Sequence, residues 1–352
     1  MRTLCLLLIF ISSSALALDV LVWKMTPEAP EVILPVKANQ TPGQAVREFI
    51  DKINQSKKLE DLRTRQDLEK LNIDGKLIIT EGSWTKLENN SELPRIIIVS
   101  NHFREMYAAP AGNRAIRDIQ RLGTLGAKSY ILPPMHDITL NAKESLEYRN
   151  KLIDLFDAQL ILGGDDIDPF FYKEKISLAK GLNRKRDASE LKFVKAFLNE
   201  QKGVTYGICR GHQMCSVALG KKLTQDIQIE QNASSIHLDG NHPINIIPNT
   251  EFASLFNTKK ITVNSLHHQA VKISSKDKDF KIMATSTDAS PVIEALELRN
   301  GKGFTMQFHP ELMFDEVGDI IMKRLVTMAK ENKEKQEIPC LKALNRIISS
   351  NK

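Results

Sequence analysis

From residue 95 to residue 208 one pattern repeats: a short run of apolar residues, then a longer stretch with helical spacing. The apolar runs fall at 95–99, 129–132, 159–162 and 204–208, with helices predicted at 111–125, 143–157 and 188–201 between them. Apolar residues dominate each run without strict alternation, which marks a strand covered on both faces. Strands of that kind, separated by helical crossovers, build a parallel sheet. The fold class expected is therefore α/β, a three-layer αβα sandwich around a mostly parallel central sheet. Residues 240–308 read as shorter strands at 244–247, 261–263, 280–285, 292–298 and 304–308, followed by a helix at 316–332. Ligands of open α/β sheets bind beyond the carboxyl ends of the strands, so chemistry is sought just past each run.

Past the run 204–208 stands Cys209, with Gly207 and Gly211 two positions to either side and a helix-forming stretch at 212–219. This is the cysteine form of the nucleophile elbow, a tight strand-to-helix turn that lifts one side chain clear of the backbone. Glycines flank it because neighbouring backbone comes into close contact there. A sulfur at a helix N-terminus is favoured as the thiolate. Alone, the same cysteine reads equally as a small buried hydrophobe. Past 304–308, Thr305-Met-Gln-Phe-His-Pro-Glu311 sets His309 and Glu311 two positions apart, on one side of an extended chain. A carboxylate so placed holds the imidazole in one tautomer, and the imidazole can then take a proton from a thiol. Past 159–162 come Gly163 and Gly164, whose main-chain N–H groups, with that of Arg210, are expected to hold the oxyanion of a tetrahedral intermediate. Without the cysteine, the same glycines and Asp165, Asp166 and Asp168 read as a turn that caps a helix.

The 352-residue chain is 42% hydrophobic and 26% charged, ordinary for a globular protein with ample core. Its net charge of +6 is spread over many Lys-rich helices without aromatic interleaving, which argues against a nucleic-acid surface. Residues 1–17 read as an export signal: Arg2, an apolar run over 4–11, and Ala15-Leu-Ala17 before the cut. That run is too short to span a bilayer, so a periplasmic or secreted protein is expected. Cys209, Cys215 and Cys340 remain after cleavage, too few for a disulfide scaffold. Cys215 is expected in the core, with a bridge to Cys340 left open. No HExxH or paired-cysteine spacing accompanies the histidines, so neither metal nor cofactor is assigned. Four parts follow: the signal at 1–17, an accessory segment at 18–93, the main domain at 94–332 and a Lys-rich tail at 333–352. The accessory segment carries predicted helices at 43–54 and 59–71 and a strand at 76–80. The tail carries a short predicted helix at 341–348.

Several motifs occur together and in order: Gly163-Gly-Asp-Asp-Ile-Asp-Pro169 with Tyr172, Arg186-Asp187 with Glu190, and Gly207-Ile-Cys-Arg-Gly-His-Gln213. Gln225-Asp-Ile227, Val263-Asn-Ser-Leu-His-His-Gln269 and Gln307-Phe-His-Pro-Glu311 follow. Over residues 93–330 the chain resembles the class I glutamine amidotransferase-like family, and within it the gamma-glutamyl-gamma-aminobutyrate hydrolase (peptidase) branch. The resemblance implies Cys209 as nucleophile, His309 as general base and acid, and Glu311 as its orienting partner. It also implies glutamyl binding by Gln213, Ser265 and His267. The chain departs from the pattern at Asp165, where many relatives carry a third glycine, and residues 18–93 lie outside it.

The implied reaction is hydrolysis of a γ-glutamyl amide through a thioester. The expected partner is a small γ-glutamyl compound, with no nucleic acid and no membrane after signal removal; a homodimer also fits. Three other readings stand beside it. An amidotransferase would pass ammonia to a partner synthase, which export disfavours. A metal-dependent hydrolase would use His267, His268, His309 and the aspartates. A binding protein would keep the fold without the chemistry.

Overall fold

The computed structural model describes residues 18–24, 29–55, 72–73, 76–77, 82–87, 91–99 and 114–350. The expected export signal and the helix predicted at 59–71 lie outside them. The N-terminal part supplies β1 (Asp19–Lys24), β2 (Val32–Val36), α1 (Pro42–Gln55), the small hairpin of β3 (Asn72–Ile73) and β4 (Lys76–Leu77), and β5 (Ser83–Lys86). Then come β6 (Arg95–Val99), α2 (Arg114–Thr124), β7 (Lys128–Leu132), α3 (Ala142–Leu155), β8 (Ala158–Ile161), α4 (Arg184–Glu200), β9 (Val204–Ile208) and α5 (Arg210–Ala218). The strand-rich remainder contains β10 (Lys222–Thr224), α6 (Ile227–Gln231), β11 (Gly240–Ile246), α7 (Glu251–Leu255), β12 (Lys260–Ser265) and β13 (Ala270–Lys272). It closes with β14 (Phe280–Ser286), β15 (Ile293–Leu298), β16 (Gly303–Met306) and α8 (Glu316–Ser350).

One sheet of twelve strands runs through the molecule in the order β12-β11-β14-β15-β16-β9-β8-β6-β7-β2-β1-β5. Its centre, from β16 to β2, is parallel. Antiparallel strands extend it on both sides. β6, β8 and β9 are buried at every residue, as continuous apolar runs demand. The helices lie on opposite faces: Tyr206 of β9 donates its hydroxyl to Leu325 O in α8, while its neighbour Gly207 abuts Gly211 of α5. Successive strand residues point to opposite faces, so α5 and α8 sandwich β9. Local signals start the helices where they begin; Asn141 caps α3 with a reciprocal bond from Glu144, each chain N–H taken by the other's side chain.

The fold is the α/β sandwich expected, with two corrections at its margins. Residues 18–93 contribute β1, β2 and β5 to the main sheet itself, strands the sequence did not suggest, while the helix expected at 43–54 is present as α1. The final helix runs unbroken from Glu316 to Ser350, where the sequence suggested a stop at 332 and a separate short helix at 341–348.

Candidate active site

β16, β9 and β8 are adjacent and parallel, in register Met306↔Ile208 and Ile161↔Gly207. They therefore end at one rim, and the residues just past them meet there: Gln307 to Glu311, Cys209, and Gly163 with Gly164. Cys209 has φ 53° and ψ −107°, a left-handed backbone that costs a non-glycine residue about 1–3 kcal/mol. Its N–H donates to Met306 O at 2.7 Å, so the neighbouring strand fixes the turn. The flanking glycines are required by contact. A Cβ on Gly207 would stand 2.5 Å from Gly211 O, and one on Gly211 would stand 2.1 Å from Ile161 O. α5 thus begins hard against β8 and β9 with the cysteine at its head.

The Arg210 side chain turns away from the rim into a buried charge cluster. Its Nη1 donates to both Glu190 oxygens at 2.8 and 2.6 Å, and its Nη2 to Asp187 Oδ1 at 2.8 Å. Asp187 also accepts from Arg186 Nε at 3.0 Å and from the Asp168 N–H at 2.8 Å, and Arg186 Nη2 donates to Asp166 O at 3.1 Å. Burial weighs against the Arg210 charge, but Glu190 and Asp187 outweigh it and keep the guanidinium ionised. The cluster ties the elbow to the loop after β8, so Arg186, Asp187 and Glu190 set the spacing between Cys209 and the Gly163–Gly164 peptides.

His309 Nδ1 lies 2.6 Å from Glu311 Oε1, and both side chains are buried. Burial pulls the imidazole pKa down, but the charges of Glu311 and then Cys209 overcome it and push it up to about 10. His309 Nε2 is buried, with no partner at hydrogen-bonding geometry among the described residues. The sulfur receives the Gln307 amide at 3.7 Å and stands 3.9 Å from Leu266 O. Gln213 Nε2 in turn donates to Gln307 Oε1 at 3.2 Å and to Gln269 O at 3.3 Å, which orients the Gln307 amide with its nitrogen towards the sulfur. Asn264 bonds the main chain of His309 on both sides, at 2.8 Å each. Sequence reasoning missed Gln307 and Asn264 as site residues. Gln307 was within reach of the argument used for Glu311, since it also stands two positions from His309.

The three residues expected to bind the glutamyl group sit inside the site's wall. Gln213, Ser265 and His267 are all buried. Ser265 Oγ donates to His237 O at 3.0 Å, and His267 Nδ1 lies 3.0 Å from Gln269 O. Burial and the nearby His237 hold the His267 pKa well below the usual histidine range. The histidines and aspartates of the metal-hydrolase reading do not converge: His268 Nε2 pairs with Asp166 at 3.0 Å and His309 with Glu311. His212, inside the elbow helix, is a core residue; its Nδ1 meets Thr305 Oγ1 at 2.8 Å and burial lowers its pKa to about 3. Cys215 is free and buried, and burial pushes its thiol up, away from reactivity.

The Peptidase C26 family model matches residues 135–311, just over half of the chain. The Mycobacterium tuberculosis protein Rv2859c, named for glutamine amidotransferase, is 31% identical over 229 residues, covering 62% of this chain and 68% of its own. The glutamine amidotransferase-like protein YvdE of Lactococcus lactis is 29% identical over 187 residues, covering 51% and 76%. Among solved structures, the glutaminase domain of Trypanosoma brucei CTPS superposes with a TM-score of 0.49 at 14% identity, over 68% of this chain and 94% of that one.

Proposed function

Because the chain belongs to the Peptidase C26 family and is thereby a cysteine hydrolase or amidotransferase acting on amide bonds, we propose that it hydrolyses the γ-glutamyl amide of a small γ-glutamyl compound. The observation that carries the reading is Cys209 at a left-handed elbow, on the strand beside the one that delivers the His309–Glu311 pair. Cys209 Sγ attacks the side-chain carbonyl carbon, forming a C–S bond and a tetrahedral oxyanion. The N–H groups of Arg210, Gly164 and Gly163 are assigned to that oxygen; losing one such donor costs about 10²–10³ in kcat. The intermediate collapses as the C–N bond breaks, and His309 gives its Nε2 proton to the departing amine. Water then attacks the thioester, His309 takes its proton, and glutamate leaves with the C–S bond broken. Glu311 keeps Nδ1 protonated and the imidazolium stabilised throughout. Gln307 donates its amide to the sulfur and holds it beside the bound carbonyl.

Incubating the purified chain alone with γ-glutamyl-aminobutyrate, a γ-glutamyl dye and glutamine tests this. Hydrolysis of the γ-glutamyl amides faster than glutamine, without any partner, is expected. A second reading is favoured by the relatives' names, which are those of glutamine amidotransferases. On that reading glutamine is the preferred donor and its ammonia goes to a partner. Preferential glutamine hydrolysis, stimulated by another protein, would select it. The expected export signal at residues 1–17 supports the stand-alone hydrolase.

A further inference from the structure

Four buried polar side chains from separate parts of the fold meet beside the candidate active site, and the atoms that face one another have no hydrogen-bond partners. His237 closes the 3-10 turn Ser235–His237, His242 is on β11, His267 follows β12 and Glu294 is on β15. Glu294 Oε1 stands 3.5 Å from His237 Nδ1, 3.7 Å from His242 Nε2 and 3.8 Å from His267 Nε2. All three ring nitrogens and both Glu294 oxygens are buried without a hydrogen bond among the described residues. The ligand atoms of His237, His242 and Glu294 lie within 4.8 Å of one another.

The outward nitrogen of each ring decides what the inward one offers. His237 Nε2 is 2.8 Å from Asp288 Oδ2, His267 Nδ1 is 3.0 Å from Gln269 O, and His242 Nδ1 is 3.3 Å from Pro243 O. Carbonyl and carboxylate oxygens only accept, so each outward nitrogen carries the hydrogen and, in the neutral ring, each inward nitrogen presents a lone pair. Three ring nitrogens and a carboxyl group then converge in a buried space with no hydrogen bond among them, an arrangement that calls for a cation. A proton can bridge one nitrogen–oxygen pair; a metal ion serves all four ligands at once. Ligands 2.0–2.1 Å from a tetrahedral zinc ion stand about 3.3–3.4 Å apart, so the gaps from Glu294 to each ring nitrogen need only a slight contraction. His267, which stands outside the mutual 4.8 Å set of the other three, must draw in further to complete the shell. Imidazoles whose far nitrogen bonds a carboxylate or carbonyl are also the usual form of metal-binding histidine.

We propose that His237, His242, His267 and Glu294 form a closed, four-coordinate site for one divalent ion of the zinc class. With every ligand supplied by protein and buried, the ion is structural rather than a reagent. Its effect on the chemistry is positional. His237 O receives both Ser265 Oγ and the His267 N–H, at 3.0 and 2.8 Å. The Gln307 N–H donates to Glu294 O at 2.8 Å, and Leu266 O faces the sulfur. An ion at the four ligands fastens both the segment 265–269 and Gln307 beside Cys209.

The test uses the full chain, stripped of metal and then titrated with zinc against a chromophoric chelator, with cobalt substitution as a spectroscopic reading. One equivalent of zinc is expected, bound equally by wild type and Cys209→Ser, with tetrahedral cobalt bands that lack a thiolate charge-transfer band. Zinc should also raise Tm in both proteins. Binding should be lost in Glu294→Gln and in His242→Asn, each checked for native circular dichroism. Absence of tight, stoichiometric binding to wild type overturns the proposal. So does loss of binding in Cys209→Ser, or a thiolate band with cobalt, because the ion would then sit on Cys209 and His309. The readout is metal stoichiometry, so the result is independent of whether the chain cleaves γ-glutamyl amides.

Discussion

The side chain of Asn264 grips the main chain of His309 from both sides: its Oδ1 accepts the His309 N–H and its Nδ2 donates to the His309 carbonyl, each at 2.8 Å. One amide on β12 thus fixes where β16 delivers its imidazole. Asn264→Ala releases that grip without touching the reacting atoms. A misplacement of about 1 Å costs on the order of 10²-fold in rate, so kcat should fall by about that factor while KM changes little. Asn264→Asp, which keeps the acceptor, should lose less. Steady-state kinetics on a γ-glutamyl dye separates the two parameters.

Two glycines of similar chemistry should behave in opposite ways when given a methyl group. At Gly211 the new Cβ would meet Ile161 O at 2.1 Å, so β8 or α5 must move. Overpacking of this kind costs about 1–3 kcal/mol, and more where backbone cannot give way. At Gly123, inside α2, an added Cβ would meet no described residue beyond its own helix within 4 Å, and alanine there should stabilise by up to about 1 kcal/mol through helix propensity. Urea midpoints for Gly211→Ala and Gly123→Ala should therefore shift in opposite directions.

The raised pKa of His309 makes a claim about alkaline stability. A group whose pKa rises on folding, here from 6.5 to about 10, contributes stability that is complete below the unfolded value and is lost as pH climbs through the folded one. Stability attributable to this imidazolium should decline between about pH 7 and pH 10. Glu311→Gln removes the first of the charges that raise it, so the decline should be smaller and end at lower pH, and the alkaline limb of kcat/KM should move to lower pH as well. Denaturation midpoints and rate profiles measured against pH in both proteins check it; identical profiles would rule out the pairing as the cause.

The Arg210 cluster should reveal itself as scaffold. Removing Glu190 leaves a buried guanidinium that keeps only Asp187 as an ionic partner. Breaking a buried pair from one side costs about 3–5 kcal/mol, so Glu190→Ala should lower the urea midpoint sharply with little change in m. Glu190→Gln, which keeps hydrogen-bonding atoms at the same place, should lie between it and wild type.

The centre of the fold was legible because its strands are covered on both faces and are mostly apolar without alternation, a pattern that needs no partner to be read. The sheet's margins were not. Pro35 lies within β2, and proline argues against a central strand, yet β2 meets β7 only at Val32↔Ile131 and pairs otherwise with β1, near the edge. Pro339 likewise suggests a break in a helix that the chain carries through to Ser350. In the site, Cys209 was legible because the elbow turn fixes its direction; His309 and Glu311 do meet, but in the 3-10 turn Pro310–Leu312 that follows β16 rather than along the extended chain the sequence suggested. The histidine–glutamate cluster was not legible, since His237, His242, His267 and Glu294 come together only through sheet order, which brings β11 beside β14 and β14 beside β15.

The covalent step is where the account of this chain is most exposed. Acid quenching of the wild-type protein during turnover of a γ-glutamyl amide, followed by peptide mass spectrometry, should find one glutamyl group added to the peptide bearing Cys209 and none on that bearing Cys215. In Cys209→Ala the adduct and the hydrolysis should both vanish. Hydrolysis that persists in Cys209→Ala, or turnover with the glutamyl group on another residue, would contradict it.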